Sequence, residues 1–289
     1  MVDLKHKIKS CFPPCLLYHW NFFKKTRNFK QYRHLVEKNK ELKDIHRGKR
    51  CFIIGSGTSI QKNNLKLLKD EIVFAVNNLY VHEDYPVFMQ EPFAKYHVIA
   101  PIHLPQTEGE WTAWFKDMEK RVPYNVKLLL GLDAFVKNIK YIFDKNNLFQ
   151  KHIKYWYYTG IIRDYNFYTF RAAHIDLTKI VWSAYAVSVY ALISAIFMGF
   201  KKIYLLGMDH DYFLYNDETQ MRFYKTALHQ KNEFARSFGD AFYVKEFLRQ
   251  YYIFSDYSLL RDNVDVEIYN ASSGGILRIF PRVRYEELF

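Results

Sequence analysis

The sequence lacks the residue spacings that identify disulfide-stapled, zinc-binding and RNA-binding domains. Its 289 residues include three cysteines, Cys11, Cys15 and Cys51, which form neither a C-x-x-C pair nor a disulfide framework. We therefore expect a protein of a reducing compartment. The sequence contains no zinc-finger spacing, no RNP motif and no internal repeat, so we expect no nucleic-acid partner.

The sequence also lacks a secretory signal and a convincing membrane span. The apolar stretch Cys11–Tyr18 is short, is broken by Pro13 and Pro14, and has no small-residue cleavage site behind it. Trp182–Phe200 is 19 residues long without a charge, which is at the lower end of the length that crosses a bilayer. It contains three serines and two tyrosines and leads into a strand-like segment, so we predict a helix buried under a sheet.

Acidic residues are scarce only at the start of the chain. Residues 1–50 carry 14 lysines and arginines against 4 aspartates and glutamates, whereas the remaining residues carry 28 against 26. Large aromatic side chains are interleaved with these basic residues, a composition that suits the anionic face of a membrane. The alternative is a solvated basic helix that packs on the rest of the protein. We predict a basic, aromatic-rich N-terminal segment, residues 1–48, followed by a single main domain, residues 49–289.

The most informative stretch is Arg50–Ile60, RCFIIGSGTSI. The apolar run Cys51–Ile54 breaks abruptly into small residues, which is typical of a buried strand that enters a tight loop. Glycines let the backbone approach a phosphate closely, and Ser and Thr hydroxyls can donate to it. No lysine follows at the Walker position, which disfavours a P-loop ATPase. An ordinary strand–turn–helix corner would show the same pattern.

Apolar strands and helices alternate along the main domain. This alternation predicts an α/β fold with a doubly wound, Rossmann-like and mostly parallel sheet. The region of about residues 133–178 is dense in Tyr, Phe, Asn and Lys, and we predict that it is a lid-like insertion. The predicted strands are Cys51–Ile54, Ile72–Val76, Tyr96–Ala100, Val126–Leu130, Ile203–Leu206 and Val266–Tyr269, and the predicted helices include Glu110–Lys120, Gln220–Phe234 and Ala241–Tyr252.

Five of the predicted strands end in small, polar or ionisable residues. In a parallel sheet, ligands bind beyond the carboxyl ends of the strands, so five such ends together predict one shared site. The strand ends are Gly55–Ser59, Asn77–Asn78, Pro101–His103, Gly207–Asp211 and Asn270–Gly275.

The ordered set GSGTS, then NN, then IYLLGMD resembles the bacterial sialyltransferases of the Campylobacter type and related sialyltransferase-like proteins of surface-polysaccharide gene clusters. The resemblance covers about Arg50 to Asn270 and is weak between Gly131 and Lys179. By the same short motifs, the archaeal-type pterin pyrophosphokinases are a more distant relative.

The resemblance implies a glycosyltransferase that uses a nucleotide-sugar donor, most simply a CMP-activated acidic sugar, and a glycan or glycolipid acceptor in surface polysaccharide or lipooligosaccharide synthesis. Together with the basic, aromatic-rich composition of residues 1–48, this function predicts a cytoplasmic protein that is peripheral to the inner face of the cell membrane through that segment. Tyr212 or Tyr215 would help the phosphate to leave, and His229, with His210 second, would be the general base. The implied nucleotide-binding residues are Gly55, Ser56, Gly57, Thr58, Ser59, Asn77, Asn78, Ser183, Gly207, Asp209, Ser272, Ser273 and Gly274.

Asp209 and Asp211 also form a D-x-D pair at a strand end. Metal-dependent glycosyltransferases hold Mg²⁺ or Mn²⁺ across a diphosphate with such carboxylates. A CMP donor carries one phosphate and would require no metal, so we expect a metal only with a diphosphate donor. A structural role for Asp209 at the edge of the sheet is the alternative.

The sequence is also consistent with two further functions. The first is a pterin or nucleotide pyrophosphoryl-transfer enzyme on the same scaffold, which would need ATP and Mg²⁺. The second is a non-catalytic nucleotide- or glycan-binding subunit. Arg278, Arg282 and Arg284, near Gly274, would be able to neutralise a phosphate, and a surface return to the sheet is the alternative for this tail.

Overall fold

The computed structural model describes residues 14–104, 106–161, 175–215, 221–224 and 242–289. These residues form one eight-stranded sheet in which every pair of neighbouring strands is parallel. The strand order is β6-β5-β4-β3-β2-β1-β7-β8. The strands are β1 (Arg50–Ile54), β2 (Val73–Val76), β3 (Lys95–Ile99), β4 (Lys127–Leu132), β5 (Lys154–Ile161), β6 (Ile180–Trp182), β7 (Lys202–Leu206) and β8 (Glu267–Asn270).

Helices cover both faces of this sheet, which explains why β1, β2 and β7 consist mostly of buried apolar residues. The helices are α1 (Pro14–Glu37), the single turn α2 (Tyr85–Phe88), α3 (Glu108–Arg121), α4 (Ile139–Asn146), α5 (Val187–Phe197) and α6 (Phe242–Asn263). Side chains of α3 and α4 belong to the core on one face, and those of α5 and α6 belong to the core on the other. The predicted doubly wound α/β fold is confirmed.

Local sequence signals fix the ends of several helices. Thr107 begins α3 with a capping box, in which its side chain accepts a hydrogen bond from the Glu110 N–H while the Glu110 carboxylate accepts from the Thr107 N–H. Asn138 caps α4 by accepting from the Tyr141 N–H at 3.2 Å. The helix ends at Asn147, which has a φ of +54°.

The strand order changes direction at β1. The chain runs from β1 through β2 towards one edge of the sheet and later returns to place β7 on the other side of β1. This is the topological switch point at which ligands bind in open α/β sheets. The loops after β1 and β7 therefore face the same crevice.

The basic N-terminal segment is joined to the sheet at its described end. The rings of Phe29 and Tyr32 on α1 lie 5.3 and 6.0 Å from the ring of Tyr158 on β5. The Asn39 side chain donates to the carbonyls of Trp156 and Leu177, both at 2.7 Å. The basic side chains of this part of α1 are exposed: Arg27, Lys30 and Arg33.

Part of the range predicted as an insertion belongs to the main sheet. Within residues 133–178 the structure forms α4 and β5, and β5 pairs with β4 on one side and β6 on the other. Residues 162–174 lie outside the described part of the chain. Of the helix predicted over Gln220–Phe234, only residues 221–224 are described, and they are not helical.

The uncharged stretch Trp182–Phe200 is divided between the end of β6 and the short helix α5, most of whose residues are buried. This confirms the prediction of a helix packed under the sheet. In the described ranges, no helix combines the length and the apolar character that crossing a membrane requires.

A buried lysine joins β3 to the loop before β2. Lys95 is 1% exposed, and its ammonium donates hydrogen bonds to the carbonyls of Leu68, Lys69 and Glu71 at 3.0, 2.9 and 2.7 Å. Burial lowers the pKa of Lys95 to about 8. The lysine thus satisfies carbonyls that end the 3₁₀ helix Leu65–Asp70.

Replacing this lysine is expected to destabilise the fold. Lys95→Met keeps the length of the side chain but removes the ammonium donor. The Leu68 carbonyl keeps its bond from the Glu71 N–H, whereas the carbonyls of Lys69 and Glu71 lose the lysine, and each buried group left unsatisfied costs about 1–3 kcal/mol. We expect the free energy of unfolding, measured by urea titration with circular dichroism, to fall by at least about 2 kcal/mol. Lys69→Met, which changes an exposed side chain in the same loop, is the control. Equal stability of the two variants would contradict this role.

Candidate functional site

Two joined cavities lie beyond the carboxyl ends of the strands. The smaller cavity, of about 80 Å³, lies at the switch point between the loops after β1 and β7. The larger, of about 340 Å³, extends over the ends of β2 to β6. Both are lined by Asn77, Ala186, Val187, Arg222 and Arg249, so they form one continuous cleft.

The loops after β1 and β7 run side by side at the smaller cavity. The Gly55 N–H donates to the Leu206 carbonyl at 2.7 Å, and the Gly57 N–H donates to the Gly207 carbonyl at 2.9 Å. Glycine is required at Gly57, because a Cβ there would lie 2.4 Å from the Asp209 Oδ2. Gly207 has a φ of +63°, a left-handed conformation that favours glycine.

The carboxylate of Asp209 fastens these two loops together. Its Oδ2 accepts a hydrogen bond from the Ser59 N–H at 2.9 Å, and its Oδ1 accepts from the Ser59 hydroxyl. These bonds hold the start of the 3₁₀ helix Thr58–Lys62. Burial raises the pKa of Asp209, and the hydrogen bonds from Ser59 oppose this shift. The carboxylate thus links two loops in addition to lining the smaller cavity.

The loop after β8 supports this arrangement from behind. The Ser272 hydroxyl accepts from the Met208 N–H at 3.2 Å, and the Ser273 hydroxyl donates to the Ser59 carbonyl at 2.9 Å. A Cβ at Gly274 would lie 3.3 Å from the Ser59 Cβ. Ser272 and Ser273 line a separate cavity together with Arg282 and Arg284. These predicted residues therefore brace the glycine loop from outside the cleft.

Asn77 is held in an unusual backbone conformation by a buried histidine. Asn77 has a φ of +46°, which is uncommon for a residue other than glycine. Its carbonyl lies 2.8 Å from the His97 Nε2, and the His97 Nδ1 lies 2.7 Å from the Tyr85 hydroxyl. Because a carbonyl can only accept, Nε2 carries the proton, and Nδ1 accepts from the tyrosine. Burial lowers the pKa of His97 to about 4, so the ring is neutral at pH 7.

Asn78 organises the wall of the larger cavity. Its side-chain oxygen accepts from the Trp114 Nε1–H at 2.7 Å, and its amide donates to the Tyr224 hydroxyl at 2.8 Å. Both partners line the larger cavity. Asn78 thus positions two cavity-lining side chains and is itself buried.

Two arginines that the sequence analysis did not identify lie where the cavities join. The Arg222 guanidinium donates to the Ser56 hydroxyl at 2.8 Å and lies 5.2 Å from the centre of the Tyr212 ring. Arg249 extends from α6 and has Glu246 as a carboxylate neighbour at 3.5 Å. Neither arginine follows the end of a strand. The expectation that ligands bind beyond the carboxyl ends of parallel strands therefore did not identify them.

His210 and Tyr212, two of the predicted catalytic residues, line the smaller cavity. The His210 Nε2 lies 2.9 Å from the Tyr257 hydroxyl. Burial and the neighbouring positive charge of Arg249 lower the pKa of His210 to about 3. A group with so low a pKa is a weak base near neutral pH. The other predicted base, His229, lies outside the described residues.

The D-x-D carboxylates already have hydrogen-bond partners. Asp209 accepts from Ser59, and the Asp211 Oδ2 accepts from the Tyr215 hydroxyl at 2.9 Å. Within the part of the chain that the structure describes, no three His, Cys, Asp or Glu side chains form a metal-ligating group. The metal site at Asp209 and Asp211 stays a prediction.

The larger cavity combines aromatic and ionisable side chains. The Trp111 and Trp114 rings lie 5.2 Å apart, and the half-exposed Tyr185 ring stacks on Tyr252 at 4.7 Å. His103 and Asp133, which follow β3 and β4, also line it. His103 belongs to the predicted strand end Pro101–His103. Asp133 was not predicted, and its position just beyond β4 was the signal that would have identified it.

The structure thus divides the predicted binding residues into three groups. Residues that line the smaller cavity are Gly55, Ser56, Asn77, Gly207, Asp209, His210 and Tyr212, and residues that line the larger one are Asn77, Asn78 and Ser183. Predicted residues that do not line either cavity, among those the structure describes, are Gly57, Thr58, Ser59, Asp211, Ser272, Ser273 and Gly274.

Comparison with known proteins assigns neither a family nor a function to this chain. A scan against protein-family models and a search of curated proteins each find no match. The resemblance to sialyltransferases therefore remains a prediction that depends on the short motifs.

The buried His97 is expected to make stability depend on pH. Its pKa is about 4 in the folded protein and about 6.5 in the unfolded chain, so the unfolded chain binds the proton more tightly. The contribution is complete above about pH 6.5 and is lost as the pH falls towards 4, with a loss of about 2 kcal/mol at pH 5. His97→Gln, which keeps a donor for Asn77 and an acceptor for Tyr85, is expected to remove this part of the pH dependence.

Urea unfolding of both proteins at pH 5 and pH 7.5 is the measurement. Other buried histidines are the same in the two proteins, so their effects cancel in the difference. Parallel pH profiles for wild type and His97→Gln would contradict the assignment.

Proposed function

We propose that this protein is a glycosyltransferase that transfers a sugar from a nucleotide donor, a CMP-activated acidic sugar, to a glycan or glycolipid acceptor in bacterial surface polysaccharide or lipooligosaccharide synthesis. The observation that carries the proposal is the pair Arg222 and Arg249 at the junction of two cavities at the switch point of a parallel sheet. The glycine loop after β1 forms the other side of the smaller cavity.

The smaller cavity suits a phosphate. Gly55 and Gly207 present backbone without side chains there, and the Arg222 guanidinium is oriented by its bond to Ser56 and by the Tyr212 ring. Arginine binds phosphate and carboxylate oxygens with two parallel hydrogen bonds. A phosphate in this position would lie between the glycine loop and the arginines.

Two guanidinium groups at the junction fit a donor with two negative charges. A CMP-linked acidic sugar carries one charge on its single phosphate and one on the carboxylate of the sugar. Both Arg222 and Arg249 border both cavities, so they are placed to pair with two anionic groups that lie on either side of the glycosidic bond. This match supports a CMP donor of this kind.

The larger cavity suits a ring-shaped ligand. Its volume of about 340 Å³ falls within the range of small-molecule sites, about 300–1,000 Å³. Trp111 and Tyr185 supply flat apolar surfaces, and Ser183 and Thr159 supply hydroxyls. Aromatic surface with a few polar groups is the usual lining of such a site.

Peripheral membrane association is part of the proposal. Arg27, Lys30 and Arg33 on α1 are exposed while Phe29 and Tyr32 of the same helix pack towards the sheet. Each lysine or arginine near an anionic leaflet contributes about 1 kcal/mol to binding. Such association would bring a glycolipid acceptor to the enzyme.

A thermal-shift panel with CMP, CDP, UDP, GDP and ATP tests the proposed donor class. We expect CMP and CDP to raise the unfolding temperature, since a ligand at 100 times its Kd stabilises the folded state by about 2.7 kcal/mol. A response to ATP alone, dependent on Mg²⁺, would favour pyrophosphoryl transfer. No response to any nucleotide would contradict nucleotide binding altogether.

Variants of the two arginines test the proposed phosphate contacts. Arg222→Gln and Arg249→Gln each remove a charge-assisted hydrogen bond worth about 1.5–3 kcal/mol, so we expect the Kd for CMP to rise about ten- to a hundredfold by calorimetry. Arg261→Gln is the matched control, because Arg261 lies on the same helix as Arg249 and pairs with Asp262 at the surface. Unchanged CMP affinity in both cavity variants would contradict the contacts.

A further inference from the structure

His103 lies at the mouth of the larger cavity, three residues beyond the loop start at Ala100. The chain leaves β3 at Ile99 and passes through Pro101 before it reaches this histidine. The side chain is exposed and lines the larger cavity. It is therefore accessible to a ligand in that cavity.

Two contacts orient the imidazole ring, one of them fixes the position of its hydrogen, and a third contact holds the backbone of His103. The Nδ1 lies 2.7 Å from the Leu104 carbonyl, and because a carbonyl can only accept, Nδ1 carries the hydrogen. The ring packs edge-on against Trp111 at 6.1 Å, and the Trp111 Nε1–H donates to the His103 carbonyl at 3.3 Å. In the neutral ring, Nε2 then has a lone pair that can accept a proton.

Of the described histidines, only His103 and His210 line the two cavities. The His210 Nε2 is hydrogen-bonded to the Tyr257 hydroxyl, and its ring is in the smaller cavity, where the proposed phosphate would bind. His103 lines the larger cavity and not the smaller one, so the proposed phosphate would not occupy its part of the cleft. The two histidines therefore occupy different places relative to the arginines.

We propose that His103 is the catalytic base that deprotonates the acceptor hydroxyl, an inference that rests on the proposed glycosyltransferase function. The acceptor O–H proton moves to the His103 Nε2 while the acceptor oxygen forms a bond to the anomeric carbon. The bond between that carbon and the phosphate oxygen breaks, and the electron pair leaves with CMP. Arg222 and Arg249 stabilise the charge that develops on the phosphate.

In the described part of the chain, the larger cavity is lined by one acidic and two basic side chains besides His103. They are Asp133, Arg222 and Arg249. After proton transfer, the imidazolium would have the Asp133 carboxylate in the same cavity as its counter-charge. The two arginines border the smaller cavity as well. Two cationic groups thus border the proposed phosphate position, and an anionic group shares the cavity of the base.

The test uses release of CMP from CMP-N-acetylneuraminate, with water as the acceptor, because a base that serves an acceptor hydroxyl also serves water. His103→Ala is expected to lower turnover by about 10²- to 10⁴-fold while the thermal shift with CMP stays as in the wild type. Added imidazole is expected to restore turnover in His103→Ala, because it can enter the vacated space and accept the proton. His103→Gln, which fills that space, is expected to be equally slow and not rescued.

His34→Ala is the control, since His34 is exposed on α1, and His210→Ala and His229→Ala test the other histidines. Wild-type turnover in His103→Ala would overturn the inference, as would a loss of CMP binding that accounts for the whole defect. Rescue by imidazole in His229→Ala and not in His103→Ala would overturn it too. A wild-type protein that neither binds nor releases CMP would instead overturn the proposed function, and this inference with it.

Discussion

The hydrogen bonds from Ser59 to the Asp209 carboxylate hold together the two loops on which the cleft depends. β1 and β7 are neighbours in the sheet, and the carboxylate adds to the backbone hydrogen bonds by which Gly55 and Gly57 join the loop after β1 to the end of β7. Burying a carboxylate is costly unless donors satisfy it, and Ser59 supplies both an N–H and a hydroxyl. Gly57 makes this approach possible because it has no Cβ.

The fold was largely predictable because its central strands are short apolar runs between helices. β1, β2 and β7 are buried on both faces, and that requirement is visible in CFII, VFAV and IYLL. β5 was missed because its KYWYYTGI sequence fills both cores with aromatic rings in place of aliphatic ones. Tyr158 packs in one core and Tyr157 in the other. β6 has only three residues, too few to show a pattern.

The site was predictable where strand ends supply its residues. Gly55, Asn77 and Asp209 line one cavity because parallel strands end at one edge of a sheet. Whether such a residue points into the cleft or braces a neighbouring loop depends on contacts across the sheet, which the order of residues does not reveal, as Ser59 and Ser272 show. Arg222 and Arg249 were missed because they come from a connecting segment and a helix, where no periodicity marks a residue that faces a ligand.

The position of Arg249 depends on how α6 packs. Tyr257 follows it by a little over two helical turns, about 12 Å, and its hydroxyl is bonded to Ser188 on α5 and to His210 after β7. The packing of α6 in the hydrophobic core on that face of the sheet therefore positions the positive charge of Arg249 at the cleft. Grafting the glycine loop onto another parallel sheet would transfer the backbone turn but not the positive charge of Arg249, because that charge depends on α6.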